Sequence, residues 1–384
     1  MAIQGMCDER FSGVREAFEM NFIERDDMIY DAGASVAVTY DGELVVDLWG
    51  GTIDTDADRN VPWERDTIIN VWSTTKTVSA LACLVLADNG ELDFYAPVAR
   101  YWPEFKAGGK GEIEVRHVMS HTAGLAGWAE PLPVEGLYDW ERATSILAAQ
   151  EPWWQPGTAS GYHALTQGYL EGELVRRITG QTFGQFAAEQ VTGPLGVDFH
   201  IGTSAEHDAR IAHVIPGDAE LSTAGAGDEA LARRAIANLP DFEAGAANTT
   251  AWRRAEIPAA GGHGNARSVA LVHAPMACGG EANGVRLLSP KGIEPVFDEQ
   301  CYGQDLMLPL VVRHGIGFGL PCPEMPISPS ERSCFWGGWG GSLAVIDLDN
   351  RLTIAYVMNK MGSGTTGDMR GAGLILATYL SLDG

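Results

Sequence analysis

The sequence predicts an α+β protein: one antiparallel sheet assembled from both ends of the chain, flanked by helices, with a helix-rich lobe inserted between the two halves. Three observations carry this reading. A helix signal and a hairpin signal stand together near the N-terminus, and a hairpin and a helix close the C-terminus. Between about 70 and 290, helical periodicity alternates with Gly/Pro breaks.

Residues 8–25 read as a surface helix, because Phe11, Val14, Phe18 and Phe22 recur three or four apart. Strands follow at Ala34–Tyr40 and Glu43–Trp49, joined by Asp41-Gly42, a strong short hairpin signal. In the middle block the spacing predicts helices over 76–88, 139–150, 162–179 and 266–278. Residues 216–232 read as an acidic loop able to act as a mobile lid. A second hairpin, Ser342–Asp347 with Arg351–Met358, turns around Leu348-Asp349-Asn350, and a last apolar helix spans Ala372–Leu382. The expected lobes are 1–70 with 290–384 for the sheet and 71–289 for the helices, with the active site in the cleft between them.

The chain has 384 residues, and 26 basic against 51 acidic side chains give a net charge of −25. A 45% apolar share with 20% charged residues describes a globular protein with a sizeable core. So negative a surface disfavours nucleic acid and anionic membrane as partners. No basic segment followed by an apolar run opens the chain, and no stretch approaches the roughly 18 apolar residues of a membrane span. The six cysteines are scattered without a C-x-x-C pair, which fits reduced thiols of a cytoplasmic protein that pack as small hydrophobes. No internal repeat is present, and homo-oligomerisation is left open.

The strongest chemical signal is Ser73-Thr74-Thr75-Lys76, followed at once by the apolar run Thr77–Ala87. Residues i and i+3 share a helical face, so the Lys76 amine can reach the Ser73 hydroxyl, while a helix N-terminus offers N–H groups to an anion formed there. A lysine titrates near pKa ~10.4 and acts as a base only when burial or a nearby cation lowers that value. By itself S-x-x-K is common, and Ser73 would more often be a simple helix cap.

Other segments remove that ambiguity. Tyr162 opens a predicted helix after Gln155-Pro156-Gly157, and a glycine-rich edge strand follows at Trp336-Gly337-Gly338-Trp339-Gly340-Gly341-Ser342. Leu92-Asp93 with Pro97-Val98, the run His117 to Leu125, Gly193-Pro194-Leu195-Gly196 and Gly317-Phe318-Gly319 complete the series. In order and spacing, over roughly residues 8–380, the chain resembles the class C β-lactamases and penicillin-binding proteins, and more closely the family VIII carboxylesterases that share their fold. The resemblance implies a β-lactamase/transpeptidase-like fold. It implies Ser73 as an acylated nucleophile, Lys76 and Tyr162 as its paired base, and the Ser73 and Trp339 backbone N–H groups as an oxyanion hole. No metal or other cofactor is implied, and the expected partner is a small ester.

Two departures bear on substrate. Where class C β-lactamases carry Lys-Thr-Gly this chain reads Trp336-Gly337-Gly338, a variant found in the esterases it resembles, and Tyr-x-Asn is replaced by Tyr162-His163-Ala164. Loss of the lysine and the asparagine removes contacts to a β-lactam carboxylate and amide, so an apolar acyl or alkoxy group is expected instead, with weak or no β-lactamase action. Trp336, Gly337, Gly338, Trp72, His163, His263 and Trp154 are the candidate substrate contacts, although Trp72, Trp153 and Trp154 read equally well as core and His263 more readily as a loop brace. A β-lactamase, D-amino-acid peptidase or acyltransferase of the same fold, and a penicillin-sensor-like binder that stalls after acylation, are the rival readings. The four-residue spacing of His117 and His121 suggests zinc ligands, but Val118 stands where a metallopeptidase needs Glu. An α/β-hydrolase reading fails for want of a G-x-S-x-G pentapeptide.

Overall fold

The computed structural model describes residues 3–25, 29–54, 61–217, 223–239 and 242–382. Its centre is a six-stranded sheet of β1 (Gln4–Cys7), β2 (Gly33–Tyr40), β3 (Glu43–Gly51), β11 (Ser333–Gly337), β12 (Leu343–Asp347) and β13 (Leu352–Met358). The strand order is β1-β3-β2-β13-β12-β11, antiparallel throughout, so the two hairpins meet where β2 pairs with β13, Ala37 opposite Ala355. The two ends of the chain therefore build one sheet, as expected. The first turn is as tight as Asp41-Gly42 requires, with φ of 51° and 85° at the two residues. A register shift between Val38 and Thr39 bulges β2.

Helices α1 (Ser12–Asn21) and α11 (Met369–Leu382) pack together on one side of the sheet. The sequence-derived helix 8–25 is shorter in the structure: a separate 3₁₀ turn at Glu9–Phe11 precedes α1, and Phe22 caps its end. The final helix starts three residues earlier than its apolar run suggests, since the run marks only the part that buries Leu374, Ile375 and Thr378.

The helical part comprises α2 (Thr75–Asp88), α3 (Val115–Met119), α4 (Trp140–Ala149), α5 (Thr166–Thr179), α6 (Phe183–Ala187), α7 (Glu229–Ala237) and α8 (Thr250–Arg254). Helix α2 is buried along almost its whole length, as an all-round apolar helix must be. Helix α9 (Ala266–Ala277) departs from the expected division at residue 289, because it packs on β13, β2 and β12 and belongs with the sheet. A small sheet, β4 (Ile69–Asn70), β6 (Gly262–Gly264) and β5 (Phe199–Ile201), lies beside the start of α2. Two hairpins, β7 (Glu281–Ala282) with β8 (Val285–Arg286) and β9 (Cys301–Gln304) with β10 (Val311–His314), flank the short α10 (Pro290–Ile293).

Of the acidic segment 216–232, residues 218–222 lie outside the described ones. The rest is not all loop, because α7 begins at Glu229 with the Asp228 carboxylate accepting from the N–H groups of Ala230 and Leu231. No helix among the described residues is long and apolar enough to cross a membrane. All six cysteines are free thiols, each buried or half-buried.

Phe18 is fully buried on α1, the helix that packs on α11, and meets Phe22 edge-to-face at 5.2 Å. Phe18→Ala should therefore destabilise the protein by about 3–5 kcal/mol, whereas truncating the exposed Leu380 should change stability by less than about 0.5 kcal/mol. Denaturant titration of the two variants separates these outcomes.

Candidate active site

The first turn ahead of α2 presents Ser73 beneath an aromatic wall. Trp72 sits at φ 49°, a left-handed conformation that a bulky residue adopts only at a cost of about 1–3 kcal/mol. The neighbouring contacts hold it there: its ring meets Trp339 at 5.1 Å, Trp252 at 5.5 Å and Phe242 at 6.4 Å. The Val71 N–H donates to the Gly262 carbonyl, and Thr75 Oγ1 accepts from the Gly262 N–H, tying the turn to β6 from both sides.

Lys76 is 3% exposed, and its Nζ lies 3.1 Å from Ser73 Oγ, 2.7 Å from the Ala164 carbonyl and 3.0 Å from the Ala259 carbonyl. Burial lowers its pKa to about 7, against an opposing pull from Glu171. A neutral amine has two N–H bonds and one lone pair. With the two carbonyls taking the N–H groups, the lone pair is left for the serine hydroxyl.

Tyr162 lies under the same amine, its ring centre 4.8 Å from Nζ. It does not open a helix as the sequence suggests, since α5 starts only at Thr166 and residues 160–163 are irregular. That irregular stretch is fixed by Asp305, a fully buried carboxylate. Its Oδ1 accepts from the N–H groups of Tyr162, Met307 and Leu308, and its Oδ2 from the Ser160 hydroxyl. The phenol oxygen accepts from Trp336 Nε1 at 3.1 Å. Burial nevertheless pushes its pKa well above the usual phenol value, with Asp305 adding to the rise.

The glycine-rich segment is not one strand. β11 ends at Gly337, residues 338–341 turn, and β12 starts at Leu343, with the Gly338 N–H donating to the Ser342 carbonyl. β11 is an edge strand, as expected. Its glycines make room for other parts of the protein. A Cβ on Gly338 would stand 2.5 Å from the Val71 carbonyl oxygen and 3.2 Å from the Ser73 nitrogen, and one on Gly337 would strike the backbone of Thr366. The turn carrying Trp339 is thereby pressed against the serine, and Arg370 Nη2 holds the Gly340 carbonyl from behind at 2.7 Å.

An apolar pocket of about 160 Å³ opens beside Ser73. Trp72, Tyr162 and Trp339 line it together with Ala232, Ala235 and Ile236 of α7. The other candidate contacts lie elsewhere. His163 is fully buried, its Nε2 accepting from the Leu125 N–H and its Nδ1 bonding the Gly161 carbonyl, so it braces the Tyr162 loop. His263 is fully buried on β6, a strand and not a loop over the cleft, with Nδ1 on the Gly261 carbonyl. Trp154 packs on His163 and donates to the Ala159 carbonyl, and Trp153 stacks under Arg234. Trp336 touches Tyr162 and is not part of the pocket wall.

His117 and His121 are likewise engaged in the protein. His117 Nδ1 accepts from the Glu114 N–H and His121 Nδ1 from the His163 N–H. Among the described residues no group of three or more His, Cys, Asp or Glu is arranged to hold a metal ion. Asp305 and α7 are the parts that sequence reading missed. A lone Asp gives no local signal, whereas Asp228 followed by Glu229-Ala230-Leu231-Ala232-Arg233-Arg234 is a legible cap and helix, masked by the acidic loop before it.

This constellation on this fold is that of the serine β-lactamases and their relatives. The Beta-lactamase family model matches residues 26–378, and the chain belongs to that family. Among curated relatives, the esterase/beta-lactamase LipL of Mycobacterium tuberculosis (strain ATCC 25618 / H37Rv) is 34% identical over 371 residues, 93% of this chain and 83% of LipL. Esterase EstB of Burkholderia gladioli is 31% identical over 182 residues, 45% of its length. Among solved structures, a family VIII carboxylesterase superposes with a TM-score of 0.91 at 41% identity, covering 99% of this chain and all of that one. A penicillin-binding protein homologue from Caulobacter crescentus gives 0.90 at 37%, again over 99% of this chain.

Behind Tyr162, His121, His163 and His314 form a buried stack, His121 lying 5.0 Å from His314. Burial lowers all three pKa values, to about 3 for His163 and about 4 for His314. The unfolded chain takes up protons near pH 6.5 that the fold refuses, so these residues cost stability as the pH falls from about 6.5 towards 4 and nothing above that window. His314→Phe should therefore gain stability relative to wild type progressively below pH 6.5. Urea midpoints for the two proteins at pH 7.5, 6 and 5 check the sign.

Proposed function

We propose that this protein is a serine carboxylesterase that cleaves esters with apolar acyl or alkoxy groups through a Ser73 acyl-enzyme. The observation that carries the reading is the Lys76 amine, 3.1 Å from Ser73 Oγ and desolvated to a pKa of about 7, so that a large fraction is free base at neutral pH. Lys76 accepts the Ser73 proton as the oxygen attacks the ester carbonyl. The Ser73 and Trp339 N–H groups take the developing oxyanion, each such donor contributing about 2.7–4 kcal/mol by analogy with other hydrolases. Tyr162 stays protonated and works as a donor, not as a phenolate: its hydroxyl passes a proton to the departing alkoxide and regains one from the Lys76 ammonium. Water, activated by the same amine, then releases the acid.

The relatives named esterases support ester hydrolysis, and the pocket chemistry supports the apolar preference. A β-lactam carboxylate needs a cation near β11, where Trp336 instead spends its indole N–H on Tyr162. Free thiols at all six cysteines support a cytoplasmic setting.

Ser73→Ala and Lys76→Ala should each lower kcat/KM on a short-chain p-nitrophenyl ester by at least about 10³-fold while leaving the melting temperature near wild type. Near-native rates in either variant would overturn the mechanism. In the wild type, kcat/KM should rise with pH through a midpoint near 7, as Lys76 loses its proton. Trp336→Lys alone should not confer efficient cephalosporin hydrolysis, because Ala164 still offers no side-chain amide; a cephalosporin turnover assay tests this.

A further inference from the structure

One buried carboxyl group near the reacting atoms has no part in that mechanism. Glu171 is 1% exposed on α5, and its Oε2 is buried without a hydrogen-bond partner. One turn earlier Gln167 spends its amide on the Val118 and Met119 carbonyls and leaves its own Oε1 without a partner. A carboxyl group left this way in a dry core is costly unless a proton or a nearby cation compensates it.

The geometry supplies the cation. The chain entering α5 gives its Ala164 carbonyl to Lys76 Nζ. Within the first turn of the helix, Gly168 abuts Ala259 so closely that a Cβ would stand 2.3 Å from the Ala259 nitrogen, and the Ala259 carbonyl is also on Lys76 Nζ. Glu171 follows Gly168 by three residues on the same helical face. On α2, Lys76 and Cys83 are seven apart, again one face, and both feel the charge of Glu171.

We infer that Glu171 is the electrostatic partner of Lys76, a positioning residue that acts on the amine across the packing of α5 on α2 and sets the pH at which the base becomes available. Burial raises the Glu171 pKa to about 8, next to the value of about 7 at Lys76, and each group pulls the other towards its charged form. The two therefore titrate as a pair. When Lys76 accepts the Ser73 proton, the new ammonium lies beside a carboxyl group able to balance it. No other helix packed on α5 competes for this role. α3 meets Gln167 through carbonyls, α4 meets Glu173 through Trp140, and α6 carries no titratable side chain. Lys76 itself is faced by Tyr162, His121 and His163, whose pKa shifts all favour the neutral forms at pH 7. Glu171 is the carboxyl group whose charge acts on Lys76, and because burial raises its own pKa to about 8 it carries that charge at pH 7 only when the Lys76 ammonium draws its proton off.

This inference rests on the Ser73 acyl-enzyme reading and is tested by pH profiles of kcat/KM from pH 5 to 9, followed by pH-stat on a p-nitrophenyl ester with full-length protein. Glu171→Gln keeps the shape and removes the charge, so the ammonium loses its counter-charge and the acid-limb midpoint should move down by ~0.5–1 pH unit. At pH 6 the rate relative to the variant's own plateau should then rise ~3- to 5-fold. A midpoint that stays put or moves up overturns the inference, and a lowered plateau with an unmoved midpoint marks a merely structural residue. Glu171→Leu should give the same downward shift and is the second variant should Gln fail to fold. Ser73→Ala separates the two claims: if it stays active, the acyl-enzyme reading has failed, whereas an inactive Ser73→Ala with an unmoved Glu171→Gln profile sinks only the partnership.

Discussion

The site depends on keeping one amine out of water. Lys76 is nearly fully buried and surrounded by two carbonyls, a serine hydroxyl and a tyrosine ring. An ammonium in that setting loses its hydration and regains only part of it from neutral dipoles. The resulting fall in basicity turns an ordinary surface cation into a base at neutral pH. Any change that lets water reach Nζ would return the lysine to its charged form and silence the serine, whatever the other residues did.

Keeping the amine dry is a task for the whole fold, because its neighbours come from three separate stretches of the chain. Ser73 and Lys76 are local, but Ala164 lies 88 residues away and Ala259 lies 183 away. Trp336, from an edge strand of the sheet, reaches Tyr162 across 174 residues. The sheet assembled from both termini, and α2 buried along its length, are what bring these pieces together. Tyr162 shows the same division of labour: its ring sits at the amine, yet its backbone is held by Asp305, a carboxylate that takes four hydrogen bonds and touches no reacting atom. The strain at Trp72 belongs here too, since a left-handed tryptophan persists only where Trp252, Trp339 and Phe242 enclose it.

Much of this was legible in the sequence, for identifiable reasons. Period-two runs with an Asp-Gly turn gave the hairpins, and the i, i+3 rule placed Lys76 on Ser73 without any tertiary information. What stayed hidden is what depends on long-range contact. Nothing near residue 305 announces that its carboxylate will cap a loop 143 residues earlier. His163 and His263 looked like cleft residues because both flank functional motifs, yet each spends its Nδ1 on the carbonyl two residues back, a local bond that turns the ring inward. The glycines at 337 and 338 carry a related lesson. Sequence says only that a side chain is missing, and at 337 and 338 the structure fills the space with the backbone at Thr366 and Val71.

The exchange of polar for aromatic residues around the serine has a consequence beyond substrate choice. A lysine in place of Trp336 would put a second cation near Tyr162 and Lys76, and like charge would lower the amine's pKa while drawing water into the cleft. With tryptophan there, the indole N–H gives the phenol a neutral donor and the ring excludes solvent. Lys76 must then reach base strength by desolvation alone, which is how its pKa of about 7 arises. Tyr162 and Ala164 link the two effects, lining the apolar pocket on one side and covering the amine on the other.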